Sequence, residues 1–333
     1  MLKKSIKVVL GLAIVAAMGL LVAACGGNGN DGNAPAPVAA NPPAAVPAPA
    51  AANPPAAAPA PAPANPSTPA PATISGEITV ITREGGSGTR VAFVEIADIT
   101  VEGNDNITVE AVVAPGTSVM MTNVAENPLA IGYASTGVAL RDDRVKVLSI
   151  NGVQPTVENM LNGTYAIQRP FIIGYNINEG LSPLAQDFID FIFSAQGQEV
   201  VAGRGYVPFV PEGAPQYTAS GLTGSIVING SSSLYSLMGH LSEAFRELNP
   251  NVRIDIHGAG TGHGISAVRD GLADIAMSSR NLRESELEFI APLTIAIDGI
   301  AVITHPSNPI EGLTLEQVRN IFLGEVERWE YAR

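Results

Sequence analysis

Residues 81–90 read ITREGGSGTR: an apolar run enters a turn of glycines, an arginine and hydroxyls, and leaves into a helical pattern near Thr89. That order of residue types suits an oxyanion. The first N–H groups of a helix are free, and the positive end of its dipole faces them. Glycines let the backbone approach closely. Arg83 brings a charge-assisted fork, while Ser87, Gly88 and Thr89 bring hydroxyl and amide donors. Two more stretches share this build. INGSSSLYSLMGHLSEAF (228–245) runs from a strand pattern through Ser231, Ser232 and Ser233 into a helix, and IHGAGTGHGISAV (256–268) does so through a glycine loop. One such loop alone is as readily a capped helix after a tight turn. Three together point to one ligand held at the carboxyl ends of strands, where open α/β sheets bind.

Readings that involve turnover find less support. G-x-x-x-x-G-K-[ST] is absent, and the glycines of 258–264 fall at alternate positions, unlike a dinucleotide fingerprint. His240, His257, His263 and His305 make no metal-spaced pair. His263 reads as a loop donor, and His240 and His305 as surface or packing residues. Cys25 is the only cysteine. The many acids show no pair set for acid/base work. The expectation is a binding protein that is not an enzyme and uses no cofactor or metal.

The elements that position these loops alternate. Strand patterns cover 77–82, 107–113, 129–134, 144–150, 168–175, 225–229, 251–257, 273–277 and 293–304. Helical patterns cover 89–97, 116–125, 156–162, 182–195, 234–248, 263–271, 283–289 and 314–322. This alternation predicts an α/β fold with largely parallel sheets. Residues 211–224 carry turn formers and no periodicity, so they read as a connector.

The rest of the 333-residue chain reads differently. Residues 1–24 have Lys3, Lys4 and Lys7, an apolar run and small residues, the layout of an export signal. Val22-Ala23-Ala24-Cys25 resembles a bacterial lipobox, which would make Cys25 the acylated first residue. The alternative is an ordinary signal with an incidental cysteine. Residues 25–73 begin Gly/Asn-rich and become almost wholly Ala and Pro. At about 3.1 Å per residue such a spacer reaches on the order of 100 Å. The folded region is therefore 74–333. The formal net charge is −13, and an acidic chain is a poor partner for nucleic acid.

Further stretches carry a family resemblance: AIGYAS (130–135), VENMLNGTYAIQRPF (157–171), FIFSAQGQEVVAGRGYVP (191–208), GAGTGHGISAVRDGLADIAMSSRNL (258–282), DGIAVITHPSNP (298–309) and LTLEQVRNIFLGEVERW (313–329). With the loops above, they resemble the phosphate-binding protein of bacterial high-affinity phosphate ABC transporters over nearly all of 76–333. The resemblance implies a two-lobed, type II periplasmic-binding-protein-like α/β fold. It implies inorganic phosphate as ligand, a permease and an ATPase as partners, and a monomer lipid-anchored outside the cytoplasmic membrane.

The order of the halves is rotated relative to that family, whose members begin with the equivalent of 224–329. A circular permutation is expected, the alternative being a tandem array cut short. The expected lobes are 140–305, and 76–138 with 306–333. Carried over by position, the family's phosphate ligands match Arg83, Ser87, Gly88, Thr89, Ser233, Leu234 and Thr261, with Ser232 included because the register is open by one. A further ligand position, aspartate in some members, is Ser279 here, which opens the alternative of sulfate or another tetrahedral oxyanion. Asp298 is the expected substitute acceptor, or else an exposed turn residue. Arg280 either faces the ligand or pairs with an acid. The long spacer suits a third reading, a surface sensor or adhesion protein without transport.

Overall fold

The computed structural model describes residues 73–209 and 213–332. The expected export signal, acylated Cys25, nearly all of the spacer and residues 210–212, which include the first two of the connector, lie outside the described residues. The described residues fall within one compact unit.

Eight strands lie side by side in the order Val252–His257, Gly224–Gly230, Ile275–Ser278, Gln168–Asn176, Ile290–Thr304, Ala130–Ser135, Thr79–Arg83, Val112–Ala114. Gly224–Gly230 is parallel to both of its neighbours, and so is Thr79–Arg83. Parallel neighbours need a crossover, and the chain supplies a helix each time. Gly88–Ile96 and Thr117–Ala125 serve one group, Tyr235–Leu248 and Thr261–Arg269 the other. Tyr235–Leu248 shows how sequence makes such a helix. Leu237, Met238, Leu241 and Phe245 recur at three- and four-residue spacing, and all four are buried. The helix stops at Asn249, whose side-chain amide donates to the Phe245 carbonyl at 3.1 Å.

The long strand Ile290–Thr304 joins the two groups. Its first part pairs antiparallel with Gln168–Asn176, and Ile300–Thr304 pairs with Ala130–Ser135. Two large cores result, with a small third cluster of Ile265, Val268, Ala276 and Ile290. Phe93, Met120, Tyr133, Leu148, Tyr165, Phe322 and Trp329 belong to one; Phe171, Phe188, Phe191, Leu237, Phe245 and Met277 belong to the other.

The chain therefore crosses between lobes near Gln168 and returns near Gly299, which differs from the expected 140–305 boundary. Val145, Leu148, Ile150, Met160, Tyr165 and Ile167 all enter the first core. Lys146–Val147 pairs with the long strand, and Ser149–Ile150 with Gly312–Leu313. The second lobe is thus the continuous stretch from about 168 to 298. The connector lies on that lobe: Tyr217 packs edge-on against Phe191, and its hydroxyl bonds Asp187 at 2.8 Å. The helix expected over 182–195 is Pro183–Ile192, and a second helix that was not expected, Ala195–Gly203, follows it. Ser194 ends the first and caps the second, its hydroxyl accepting from the Gly197 amide at 3.2 Å.

Where the chain crosses, Arg169 and Asp298 stand directly opposite each other on the two strands. Both are buried. Arg169 donates to Asp298 Oδ2 from Nη2 at 3.0 Å and from Nε at 3.2 Å. Ser135 and Thr136 hydroxyls donate to Oδ1 at 2.9 and 3.0 Å. Burial pushes the Asp298 carboxyl up and the Arg169 guanidinium down, each against the pull of its partner. Removing one member leaves the other charge uncompensated, which typically destabilises by about 3–5 kcal/mol. Asp298→Ala should lower the unfolding free energy by that amount in denaturant titration. A loss below about 1 kcal/mol, the range of an exposed pair, would contradict the pinning role.

Candidate functional site

Arg83 ends its strand at the seam between the lobes. Its backbone amide donates to the Tyr133 hydroxyl at 3.1 Å, and its carbonyl accepts from Arg90 Nη1 at 2.7 Å. Tyr133 is buried against Phe93, which it stacks on at 4.1 Å, and burial pushes its phenol up to about 12. The hydroxyl therefore stays protonated. After Arg83 the chain turns through Gly86 at φ +87°, a backbone conformation that favours glycine. Ser87 then caps the helix Gly88–Ile96 by accepting from the Arg90 amide at 3.3 Å. The amides of Gly88 and Thr89 open the first turn and have no intrahelical partner.

Opposite this loop stands the second lobe. Arg83 Nη2 donates to Ser232 Oγ at 2.9 Å, and the hydroxyls of Thr89 and Ser233 lie 2.8 Å apart. Thr117 links them, 3.2 Å from both serine hydroxyls and 3.3 Å from Arg83 Nη1. The glycine loop of 258–264 closes the third side. Thr261 starts its helix, and its hydroxyl accepts from the Ser279 amide at 3.3 Å. Gly88 lies so close that a Cβ there would meet Thr261 Oγ1 and stand 2.8 Å from Ser279 Oγ. The Gly262 amide donates to the Gly86 carbonyl at 3.2 Å, a direct backbone bond between lobes. The Ser279 hydroxyl is buried and has no hydrogen-bond partner.

The structure thus gathers Arg83, Ser87, Gly88, Thr89, Ser232, Ser233, Thr261 and Ser279 around one seam. Leu234 lies beside Ser233, but its amide donates to the Ser231 carbonyl at 3.2 Å, closing the turn that starts the helix. Asp298 is neither an exposed turn residue nor an open acceptor. It is on a crossover strand, and both its oxygens are taken by Arg169, Ser135 and Thr136. Its influence on the seam is indirect, since Arg169 Nη1 donates to the Ser279 carbonyl at 3.3 Å. Arg280 pairs with the buried Glu286 at 2.7 and 2.8 Å.

Two seam residues had gone unread in the sequence. Thr117 follows Pro115-Gly116 after a strand, with Gly116 at φ +111°, and is a fourth strand–glycine–hydroxyl–helix start. Glu84 sits inside the opening motif. Its carboxylate accepts from Arg83 Nε at 2.8 Å, Arg83 Nη2 at 2.7 Å and the Gly116 amide at 3.1 Å. Burial opposes its ionisation, but the Arg83 bonds and charge outweigh that and hold its carboxyl below the usual range. Hydroxyls, helix-start amides and a fixed guanidinium can grip an oxyanion; no nucleophile and base are paired among these seam residues.

The chain is similar to known proteins along most of its length. A family model described as a PBP superfamily domain matches residues 38–196 and 215–332. Phosphate-binding protein PstS 2 of Streptococcus pneumoniae is 40% identical over 260 residues, 77% of this chain and 88% of that protein. Phosphate-binding protein PstS of Pseudomonas aeruginosa is 34% identical over 135 residues, 37% of this chain and 42% of that one. Among solved structures, a phosphate-binding protein of a phosphate ABC transporter from S. pneumoniae is 39% identical, with a TM-score of 0.62. That match covers 78% of this chain and 100% of the other.

Proposed function

We propose that this chain, which belongs to the PBP superfamily and within it to the PstS phosphate-binding proteins, binds inorganic phosphate at the interlobe seam and delivers it to an ABC permease and its ATPase. The observation that carries the reading is the Ser279 hydroxyl, buried without a partner beside Thr261 and Gly88. An unsatisfied buried hydroxyl costs about 1–3 kcal/mol, and an oxyanion oxygen would satisfy it. Arg83 neutralises charge. Gly88 and Thr89 amides and the hydroxyls of Thr89, Ser232, Ser233 and Thr261 donate hydrogen bonds, with Ser87 shaping the helix start and Thr117 completing the wall. A sulfate receptor is the second reading, because a serine hydroxyl at 279 donates or accepts and so does not itself tell the two anions apart. Calorimetry on the full-length protein decides: phosphate should bind at micromolar concentration, and no binding there would sink the proposal. Arg83→Ala removes donors to a charged group, each contributing about 1.5–3 kcal/mol, so affinity should fall roughly a hundredfold. An unchanged affinity would make the loop merely structural.

The protein acts, on this reading, outside the cytoplasmic membrane, held there by acyl chains on Cys25. The run Val22-Ala23-Ala24-Cys25 after a lysine-rich apolar segment supports the anchor. Cys25→Ser should move the protein from the membrane fraction to the soluble one; retention would refute it.

The order of the halves is read as a circular permutation. The Ile78 amide donates to the Glu327 carbonyl at 2.7 Å, and the Trp329 amide to Gly76 at 3.0 Å, so these chain positions are neighbours. Adjacent ends and an exposed connector are what a permutation requires. A chain started at Gly224, joined from Ala332 to Thr73 and ended at Phe209 should fold and bind as the natural order does. Failure of such a chain to fold would count against it.

A further inference from the structure

A second space lies between the lobes, beside the loops that carry the seam. It is a cavity of about 440 Å³, lined by Gly86 from the first lobe and by Gly262, Arg269, Arg280, Arg283 and Glu286 from the second. The loops that wall it also supply the seam. Gly86 lies two residues before Gly88, Gly262 follows Thr261, and Arg280 follows Ser279. Of the lining residues, Gly262 and Gly86 join the lobes directly, amide to carbonyl at 3.2 Å. At about 30 Å³ per water, the cavity has room for an anion with part of its hydration shell.

The lining is cationic on an acidic chain: three arginines and one acid, against −13 for the whole sequence. Glu286 is engaged by Arg280 at 2.7 Å. Arg269 pairs at 2.9 Å with Asp270, which does not line the cavity. Arg283 is exposed and makes no ion pair among the described residues. The chain as a whole repels an approaching anion. Screening confines each charge to about 8 Å at physiological salt, so a local cationic mouth decides where the anion arrives. Gly262 adds an independent mark. It lies inside the helix Thr261–Arg269, where glycine costs about 1 kcal/mol against alanine. A Cβ there would meet Gly86 only at an ordinary 3.7 Å. Neither backbone angle nor crowding calls for glycine at that place; a passage walled only by backbone does.

We infer that this cavity is the loading port of the seam: inorganic phosphate docks there, partly hydrated, on Arg269 and Arg283, and passes between Gly86 and Gly262 as the lobes part. The inference rests on the phosphate-binding reading above. The port acts on passage more than on the bound state, so its arginines govern the association rate more than the affinity. Exit uses the same passage. Removing the arginines therefore slows release or leaves it unaltered, and does not quicken it.

The test measures association and release of radiolabelled inorganic phosphate by rapid mixing with the full-length protein. Equilibrium binding by the unaltered protein comes first; its absence would remove the phosphate reading itself, and this inference with it. Arg269→Gln combined with Arg283→Gln should then slow association roughly fivefold or more at low ionic strength. The loss should fade as salt rises toward about 1 M, where screening reaches about 3 Å. Arg269→Glu with Arg283→Glu should slow it further; no further fall would overturn the inference. Arg253→Gln with Arg328→Gln removes the same charge from exposed pairs outside the cavity. An equal fall in that control would reduce the effect to net charge and overturn the port. So would an unaltered association rate, or a faster release. All four arginines are exposed, so each variant keeps its core.

Discussion

A carboxylate and a guanidinium, both withdrawn from solvent, hold the two lobes in register where the chain crosses between them. The attraction of Asp298 and Arg169 mostly offsets the expense of burying them, so such a pair adds little net stability. Its value lies in position. Four donors converge on one carboxylate, and they come from the crossover strand Gln168–Asn176 and from Ser135 and Thr136 at the end of a first-lobe strand. A slip by one residue on either crossover strand would break all of this at once. Through Arg169 the same pair reaches the Ser279 carbonyl, so one wall of the seam takes its place from the crossing itself.

The seam is built by repeating one local device. Thr79–Arg83, Val112–Ala114, Gly224–Gly230 and Val252–His257 each run into a short turn with glycine or serine and then a helix. Parallel strands put all of these turns at the same edge, and the two lobes bring two such edges face to face. Hydroxyls supplied by the turns then meet within hydrogen-bond distance, as Thr89 and Ser233 do. Rigid elements carry them: Phe93, Tyr133 and Phe322 pack ring against ring beneath Arg83. A site fixed at element ends is held more firmly than one carried on a free loop.

Legibility followed the range of the interaction. Helix starts such as Ser87-Gly88-Thr89 and the apolar face of Tyr235–Leu248 are written in neighbouring residues, and they could be read directly. Thr117 was equally local, but its turn carries a single glycine and no charge to draw notice. The lobe boundary was not local. Residues 140–167 alternate polar and apolar in short runs, and only pairing with Ile303, Thr304, Gly312 and Leu313 assigns them to the first core. Asp298 is a similar case. Its neighbours in sequence are apolar or glycine, while the partners that occupy it lie about 130 and 160 residues away. Glu84 is adjacent to Arg83, yet its reach toward Gly116 and Gly260 depends on two other turns.

The two lobes differ in how their residues are drawn from the chain. The second is one uninterrupted stretch, whereas Trp329 is fully buried in the first and bonds through its indole to the Leu129 carbonyl at 3.0 Å. As the chain emerges, the stretch from 168 to 298 can complete its core while the first lobe still lacks its final helix and its tryptophan. Domains fold as units, usually in order of synthesis; here the amino-terminal lobe has to wait. Residues 74–167 lack part of their core until residues 313–329 have been made, and in that interval Val112 and Val113, exposed at a strand edge even in the finished fold, are open to mispairing. The vulnerable interval in the life of this protein is set by chain order rather than by the strength of any contact.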